Sequence, residues 1–130
     1  MTSIKQVQIT FDCAEPRKVA EFWCEVLGYV QPPVDEDDDD SWAAAQDPTG
    51  AGPRMYFQRV PESKVVKNRV HVDVRAVAGL AGEERLAALE AECARLLPLG
   101  ATRVRLMPAD EENESCLVMQ DVEGNEFCLD

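Results

Sequence analysis

The chain has 130 residues, of which 45% are hydrophobic, and its formal net charge is −12 at pH 7. This length suits one domain with a single substantial core. The charge argues against nucleic acid and anionic membranes as partners, and no apolar stretch is long enough to span a bilayer. Half of the charge excess comes from six consecutive acidic residues, 35–40, and such a run is typical of a solvated loop.

Five cysteines are scattered along the chain: Cys13, Cys24, Cys93, Cys116 and Cys128. Their odd number and the absence of a Cys-x-x-Cys pair argue against a disulfide framework and a structural zinc site. The first residues, Met1-Thr2-Ser3, do not have the pattern of a signal peptide. We therefore expect reduced thiols and a cytoplasmic location.

The first half of the chain alternates strand and helix patterns. Residues 4–11 alternate apolar and polar side chains, which predicts a strand. Pro16 suits the first position of a helix and Gly28 its end, and the apolar stripe between them includes Trp23. Short strands are then predicted over residues 29–31, 42–46 and 54–60.

The second half repeats this order, with a strand over residues 70–74 and then a helical stripe formed by Leu86, Leu89, Cys93, Leu96 and Leu97. Further strands are predicted over residues 102–106, 116–120 and 126–129. Similar turn sequences, Asp47-Pro48-Thr49-Gly50 and Asp121-Val122-Glu123-Gly124, precede the last strand of each half. The sequence therefore predicts one α+β domain of two βαβββ modules, about residues 1–62 and 66–130. Their paired faces would form a curved eight-stranded sheet flanked by two helices.

In this order, the motifs resemble the glyoxalase-like branch of the vicinal-oxygen-chelate superfamily over nearly the whole chain. The resemblance rests on Glu21-Phe22-Trp23, on Leu27-Gly28-Tyr29, on Arg69-Val70-His71-Val72-Asp73 and on the two turn sequences. It implies a cupped mixed sheet in which inward residues from the first and last strand of each module hold a divalent metal. Members include glyoxalases, dioxygenases, epimerases and fosfomycin-type transferases, and others bind drugs such as bleomycin without metal chemistry.

Transferred residue by residue, the family's ligand positions fall on Gln8 and His71 in the first strands and on Tyr56 and Cys128 in the last strands. The carboxylates that the resemblance implies in the last strands are absent. Since oxygen-loving divalent metals need anionic oxygen ligands, we expect no metal cofactor. The alternative is a divalent metal on Gln8, His71 and Cys128, and zinc suits a histidine and a thiol.

The first functional hypothesis is a small-molecule-binding protein, such as a sequestering or resistance-type binder. Its cup would be lined by Gln8, Tyr56, Gln58, His71, Glu126 and Cys128. The alternative is a lyase- or isomerase-type enzyme of the superfamily in which a divalent metal, or His71 as catalytic residue, transfers a proton next to a carbonyl. A third interpretation is a protein-interaction domain that uses the acidic loop. A homodimer is one alternative, because relatives often pair modules across a subunit interface, and closure of the cup by the two modules of one chain is the other.

Structural interpretations stand beside these functional ones. His71 is the one histidine of the chain, and a hydrogen-bonded structural role explains it as well as a catalytic one. Cys128 would serve equally as a small buried hydrophobic residue. Trp23 is expected in the core, whereas Trp42 would either roof the pocket or pack in the core.

Overall fold

The structure, a computed structural model, describes residues 3–35 and 37–130, and its elements follow the alternating patterns of the sequence. The chain divides into two units, the first ending at Ser63 and the second running from Lys64 to Asp130. Each unit contains one α-helix and one sheet, and the α+β class is therefore confirmed. Within the described residues, neither helix combines the length and the apolar character that crossing a bilayer requires.

Unit one contains strand β1 (Gln8–Cys13), helix α1 (Pro16–Leu27), strand β2 (Trp42–Ala45) and strand β3 (Arg54–Arg59). The strands are ordered β1-β3-β2, with β1 parallel and β2 antiparallel to β3. The apolar stripe of α1 packs on this sheet, and Trp23, which is fully buried, contacts Phe11 edge to face at 5.3 Å. The prediction that Trp23 belongs to the core is confirmed. Helix α1 ends at Gly28, whose φ of 71° is the left-handed conformation that glycine adopts readily.

The strand predicted over residues 29–31 does not form. A single antiparallel bridge joins Val30 to Gln46, because Pro32 and Pro33 follow directly and have no N–H with which to extend a ladder. The described residues therefore form seven strands in sheets of three and four, one fewer than the eight predicted. Strand β1 also begins at Gln8 rather than residue 4, because its partner β3 begins only at Arg54, opposite Gln8.

Unit two follows the βαβββ order: β4 (Val72–Val74), α2 (Gly82–Leu96), β5 (Thr102–Met107), β6 (Cys116–Gln120) and β7 (Glu126–Leu129). Its sheet has the order β4-β7-β6-β5, with β4 parallel to β7 and the other pairs antiparallel. The buried face of α2 contains Leu89, Cys93 and Leu96, as predicted. Leu97 is 44% exposed, because a 3-10 turn over Leu97–Leu99 replaces the helix there, and Arg85 is buried instead.

The two predicted turns have the same construction. The Asp47 carboxylate accepts hydrogen bonds from the backbone N–H groups of Thr49 and Gly52, both at 2.7 Å. The Asp121 carboxylate likewise accepts hydrogen bonds from the N–H groups of Glu123 and Asn125, both at 2.9 Å. Each carboxylate therefore closes its turn and sets the direction of the last strand of its unit.

Candidate functional site

The sheet of unit one presents a polar face on the side opposite α1. The parallel register places Gln8 opposite Arg54 and Asp12 opposite Gln58, with Tyr56 between them along β3. Alternation along the strands puts all five side chains on this face. The Arg54 guanidinium donates to the Gln8 side-chain oxygen at 2.8 Å, and the Gln58 amide donates to Asp12 at 2.9 Å. The structure thus brings together the predicted site residues Gln8, Tyr56 and Gln58.

Two aromatic rings stack on the polar face of unit one. Trp42 lies opposite Gln58 in the antiparallel register, and its ring is stacked on Tyr56 at 5.8 Å with an interplanar angle of 12°. The Arg54 guanidinium carbon lies 5.5 Å from the Tyr56 ring centroid, which is within the range of a cation–π contact. Both rings are only partly buried. Trp42 therefore belongs to this polar face, which the sequence left open.

The sequence did not single out Arg54 as a partner of Gln8. Alternation from Tyr56 along β3 would have placed Arg54 on the same face, but the contact with Gln8 depends on the register of two strands 46 residues apart. Next to this pair, an open depression of about 670 Å³ is lined by Gln8, Asp47, Gly52 and Arg54, among others. The polar face of unit one therefore continues into a concave surface at the start of β3.

Unit two brings His71 and Cys128 together and adds Asp73, which the sequence did not single out. Asp73 lies opposite Cys128 in the parallel register, and His71 precedes it by two residues on the same face. The His71 Nε2 atom is 3.1 Å from Asp73 Oδ1. Potential ligand atoms of His71, Asp73 and Cys128 all lie within 4.8 Å of one another. The alternation from His71 is the signal that would have identified Asp73.

Cys116 is a further neighbour of this cluster. Val118 lies opposite Cys128 in the antiparallel register, so Cys116, two residues earlier on the same face, is the diagonal neighbour of Cys128. Burial raises the pKa of Cys128 to about 11, and the neighbouring Cys116 and Asp73 act in the same direction. Burial also raises the pKa of Cys116. Both sulfurs are therefore neutral thiols at neutral pH when no metal is bound, which argues against a free nucleophilic thiolate. Together with His71 and Asp73 they line an open depression of about 680 Å³.

The predicted site residue Glu126 is buried and bonded within unit two. Its two carboxylate oxygens accept hydrogen bonds from the Lys64 ammonium and from the Asn68 backbone N–H, each at 2.9 Å. Burial alone would raise the pKa of Glu126, but these hydrogen bonds outweigh it and lower the pKa to about 2. This carboxylate therefore links residues 64–68 to β7 by hydrogen bonds. A role of Glu126 in ligand binding stays a prediction.

The family implied by the sequence motifs commonly holds a divalent metal, and the donor set of unit two tests whether one fits. An imidazole nitrogen, a carboxylate oxygen and a thiol sulfur lie together in the His71, Asp73 and Cys128 cluster. This mixed set suits zinc, which binds nitrogen, oxygen and sulfur ligands. It does not suit metals such as Mg²⁺ and Mn²⁺, which prefer oxygen-rich sites.

Comparison with known proteins identifies similar domains. A family model described as a glyoxalase-like domain matches residues 8–129. The fold is similar to that of a possible glyoxalase from Bacillus cereus, with 14% identity, 98% of each chain covered and a TM-score of 0.64. It is also similar to a mutant of the fosfomycin resistance protein FosX from Listeria monocytogenes, in complex with Mn(II) and dihydroxypropylphosphonic acid. That match has 13% identity, covers 99% of this chain and 92% of the other, and has a TM-score of 0.69. Among curated proteins, none matches the chain.

Proposed function

The chain belongs to the family of glyoxalase-like domains, and from this premise we propose that it is a small-molecule-binding protein. The observation that carries the proposal is the partly exposed stack of Trp42 and Tyr56 beside Arg54 on the sheet face of unit one. Aromatic rings are stabilising when buried, and binding sites commonly combine such rings with a few placed polar groups. A ligand would cover these rings while Gln8 and Gln58 orient it.

The chemistry of this face favours a planar ligand with an anionic group. A flat ring can extend the stack on Trp42, because offset stacking is a preferred arrangement of aromatic groups. Arg54 donates one hydrogen bond to Gln8. The guanidinium has further N–H groups, which can donate to a carboxylate or phosphonate of the ligand. The FosX structure similar in fold contains a phosphonic acid, which supports an anionic ligand.

Phenylphosphonate is a suitable probe, because it joins a flat ring to an anion. We expect it to shift the amide resonances of β1 and β3 in a titration followed by NMR. Arg54→Ala should weaken binding at least roughly tenfold, equivalent to about 1.4 kcal/mol. Arg59→Ala is the matched control, since Arg59 lies on the same strand but its side chain points to the opposite face. Equal affinity of the two variants would contradict the role of Arg54.

Propylphosphonate tests the aromatic stack separately, because it keeps the anion and lacks the ring. We expect it to bind more weakly than phenylphosphonate to the unchanged chain, and Tyr56→Leu should remove this preference. If both probes bind the unchanged chain with the same affinity, stacking is not the basis of recognition. If neither probe shifts any resonance of unit one, the proposal as stated is wrong.

A proton-transferring enzyme is the second candidate, and the His71–Asp73 pair favours it. A carboxylate 3.1 Å from an imidazole nitrogen orients the ring, which is the arrangement that a histidine acting as general base commonly has. In the alternative version, zinc held by this cluster would polarise a substrate oxygen as a Lewis acid, and His71 would then be a ligand and not the base. The hemithioacetal of methylglyoxal and glutathione tests this activity, and His71→Gln should abolish the turnover. Turnover that survives in His71→Gln would exclude His71 as the base.

Of the two alternatives for assembly we propose the homodimer, and three exposed valines in residues 65–70 of unit two support it. Val65, Val66 and Val70 are 89%, 75% and 82% exposed, respectively. Apolar side chains clustered at a surface commonly mark an interaction site. Light scattering should give the mass of two chains, and Val66→Asp should give the mass of one. A monomeric mass for the unchanged chain would contradict the proposal.

A further inference from the structure

We propose that the polar face of unit one selects its ligand by polarity, and that it takes flat aromatic molecules with an anionic group at one end and an ammonium group at the other. This selection rests on the binding proposed above and adds the second charged group of the ligand. Two glutamines, Gln8 and Gln58, have amides that charged neighbours turn in opposite senses. Asp12 and the side-chain oxygen of Gln58 would recognise the ammonium group.

Arg54 sets the orientation of Gln8 at one end of the polar face. A guanidinium has only donors, so its hydrogen bond of 2.8 Å requires the side-chain oxygen of Gln8 as the acceptor. The NH₂ group of Gln8 therefore lies away from Arg54, and it donates to the Thr10 hydroxyl over a long 3.4 Å. Arg54 and Gln8 together present N–H donors, which suit the anionic group of the ligand.

Asp12 sets the orientation of Gln58 at the other end of the face, in the opposite sense. An ionised carboxylate has only acceptors, so its hydrogen bond of 2.9 Å requires the NH₂ group of Gln58 as the donor. The side-chain oxygen of Gln58 is then turned away from Asp12, and no described residue donates to it. This end of the face therefore presents acceptors, an amide oxygen and a carboxylate.

The aromatic stack separates the donor end from the acceptor end. Arg54 and Gln58 are four residues apart on β3, which is about 13 Å along a strand, and Tyr56 lies between them. Trp42 lies opposite Gln58, so the stack of Trp42 on Tyr56 reaches the acceptor end. One small group cannot contact both ends. A ring stacked on Trp42 can direct one substituent to each end, and the two substituents then need opposite hydrogen-bonding character.

Charge favours an ammonium over a neutral N–H group at the acceptor end. Only one carboxylate oxygen of Asp12, Oδ1, is bonded to Gln58, and the second oxygen can accept from the ligand. Hydrogen bonds between two ionised groups are stronger than those between neutral groups. The net charge of the chain, −12, repels a ligand that carries only an anionic group. A ligand with both charges has little net charge and is repelled less.

Two phosphonates of the same shape test the selection on the full chain. One is 4-(aminomethyl)phenylphosphonate, and the other is 4-ethylphenylphosphonate, in which a methyl group replaces the ammonium. We expect the aminomethyl compound to bind about fivefold more tightly, a modest gain because Asp12 and Gln58 are exposed and solvent screens their charges. Equal affinities, or tighter binding of the ethyl compound, would overturn the selection while the proposed binding of anionic rings stands. Binding of no phosphonate at all would overturn both.

Asp12→Asn should remove the preference for the aminomethyl compound, because it removes the carboxylate and no longer fixes the amide of Gln58. Glu21→Gln is the matched control. It removes the same charge from unit one, at an exposed residue of α1, the helix that packs on the other side of the sheet. The control should keep the preference. An equal loss of preference in both variants would show that only the overall charge matters, and would overturn the role of Asp12.

The orientation of the bound aminomethyl compound can be measured without a variant. Nuclear Overhauser effects from the methylene protons of the ligand should reach the side-chain amide protons of Gln58 and not the side chain of Arg54. This measurement holds even if Asp12→Asn fails to fold. A ligand bound the other way round, with its methylene group at Arg54, would overturn the selection by polarity.

Discussion

Arg85→Met is expected to lower the free energy of unfolding by about 3 kcal/mol, because it removes the donors to several backbone carbonyls while leaving the carbonyls in place. Arg85 is 7% exposed. Its Nε and Nη2 atoms donate to the Ser115 carbonyl at 2.9 and 2.8 Å, and Nη1 donates to the carbonyls of Val77 and Leu80 at 3.4 and 3.5 Å. The side chain therefore ties the segment before α2 to the start of β6.

The sign of this effect follows from what remains after the substitution. Replacing both partners of a buried polar contact by apolar groups is often neutral or stabilising. Here only the guanidinium is replaced, and methionine fills much of the volume without satisfying the carbonyl of Ser115, a residue that is 3% exposed. Each buried acceptor left without a donor costs about 1–3 kcal/mol. Removing the buried charge of Arg85 raises the free energy of unfolding, but the loss of its hydrogen bonds lowers it by more.

Urea denaturation at pH 7 measures this difference. Arg105→Met is the matched control, because Arg105 is an exposed residue of β5 in the same unit, and we expect it to change stability by less than about 0.5 kcal/mol. A midpoint for Arg85→Met that equals the midpoint of the control would show that the carbonyl contacts contribute no stability.

Glu126→Gln is expected to destabilise the protein by about 2 kcal/mol at pH 7, and this difference should disappear as the pH falls towards 2. The folded-state pKa of Glu126, about 2, lies below the ordinary value of 4.5. The ionised form is therefore favoured by folding, and its contribution is fully present above pH 4.5 and lost as the pH falls through the folded-state pKa. The full shift would correspond to about 3 kcal/mol, and we expect less because Lys64 remains 24% exposed and solvent screens the pair.

Urea midpoints at several pH values between 2 and 7 test this prediction. Glutamine keeps the size of the side chain and an acceptor for the Asn68 N–H, so the variant isolates the charge of Glu126. Glu111→Gln removes the same charge from an exposed loop residue and should leave stability almost unchanged at every pH. A stability difference between Glu126→Gln and the unchanged chain that stays constant over this range would show that ionisation of Glu126 is not its cause.

Local sequence patterns correctly predicted the ends of those helices and strands that are determined by the residues at the ends themselves. Helix α1 begins at Pro16 and ends before Gly28 because both residues act through their own backbone geometry. Strands β6 and β7 have the predicted bounds, since alternating side chains and a closed turn define them. The start of β1 was predicted too early, because it depends on where the partner strand begins, and no local pattern contains that information.

The candidate site was only partly predictable for the same reason. Gln8 and His71 could be located by counting along the chain. Strand register, which the sequence does not show, places Arg54, Asp73 and Cys116 beside them or beside Cys128. Burial of Glu126 was also out of reach, since its partners Lys64 and Asn68 are 62 and 58 residues away in sequence. Residues that act through a distant partner are those that sequence periodicity does not identify.

The carboxylate-closed turn before the last strand of each unit has an evolutionary consequence. The carboxylates of Asp47 and Asp121 each accept a hydrogen bond from the backbone N–H two residues later. The strands that follow carry Arg54 and Tyr56 in one unit and Glu126 and Cys128 in the other. Duplication of one ancestral module, followed by divergence of one sheet face only, would leave this pattern. Both units would then have inherited the turn from the ancestral module. Substitutions on the sheet face of one unit could change its ligand preference without altering the site residues of the other unit.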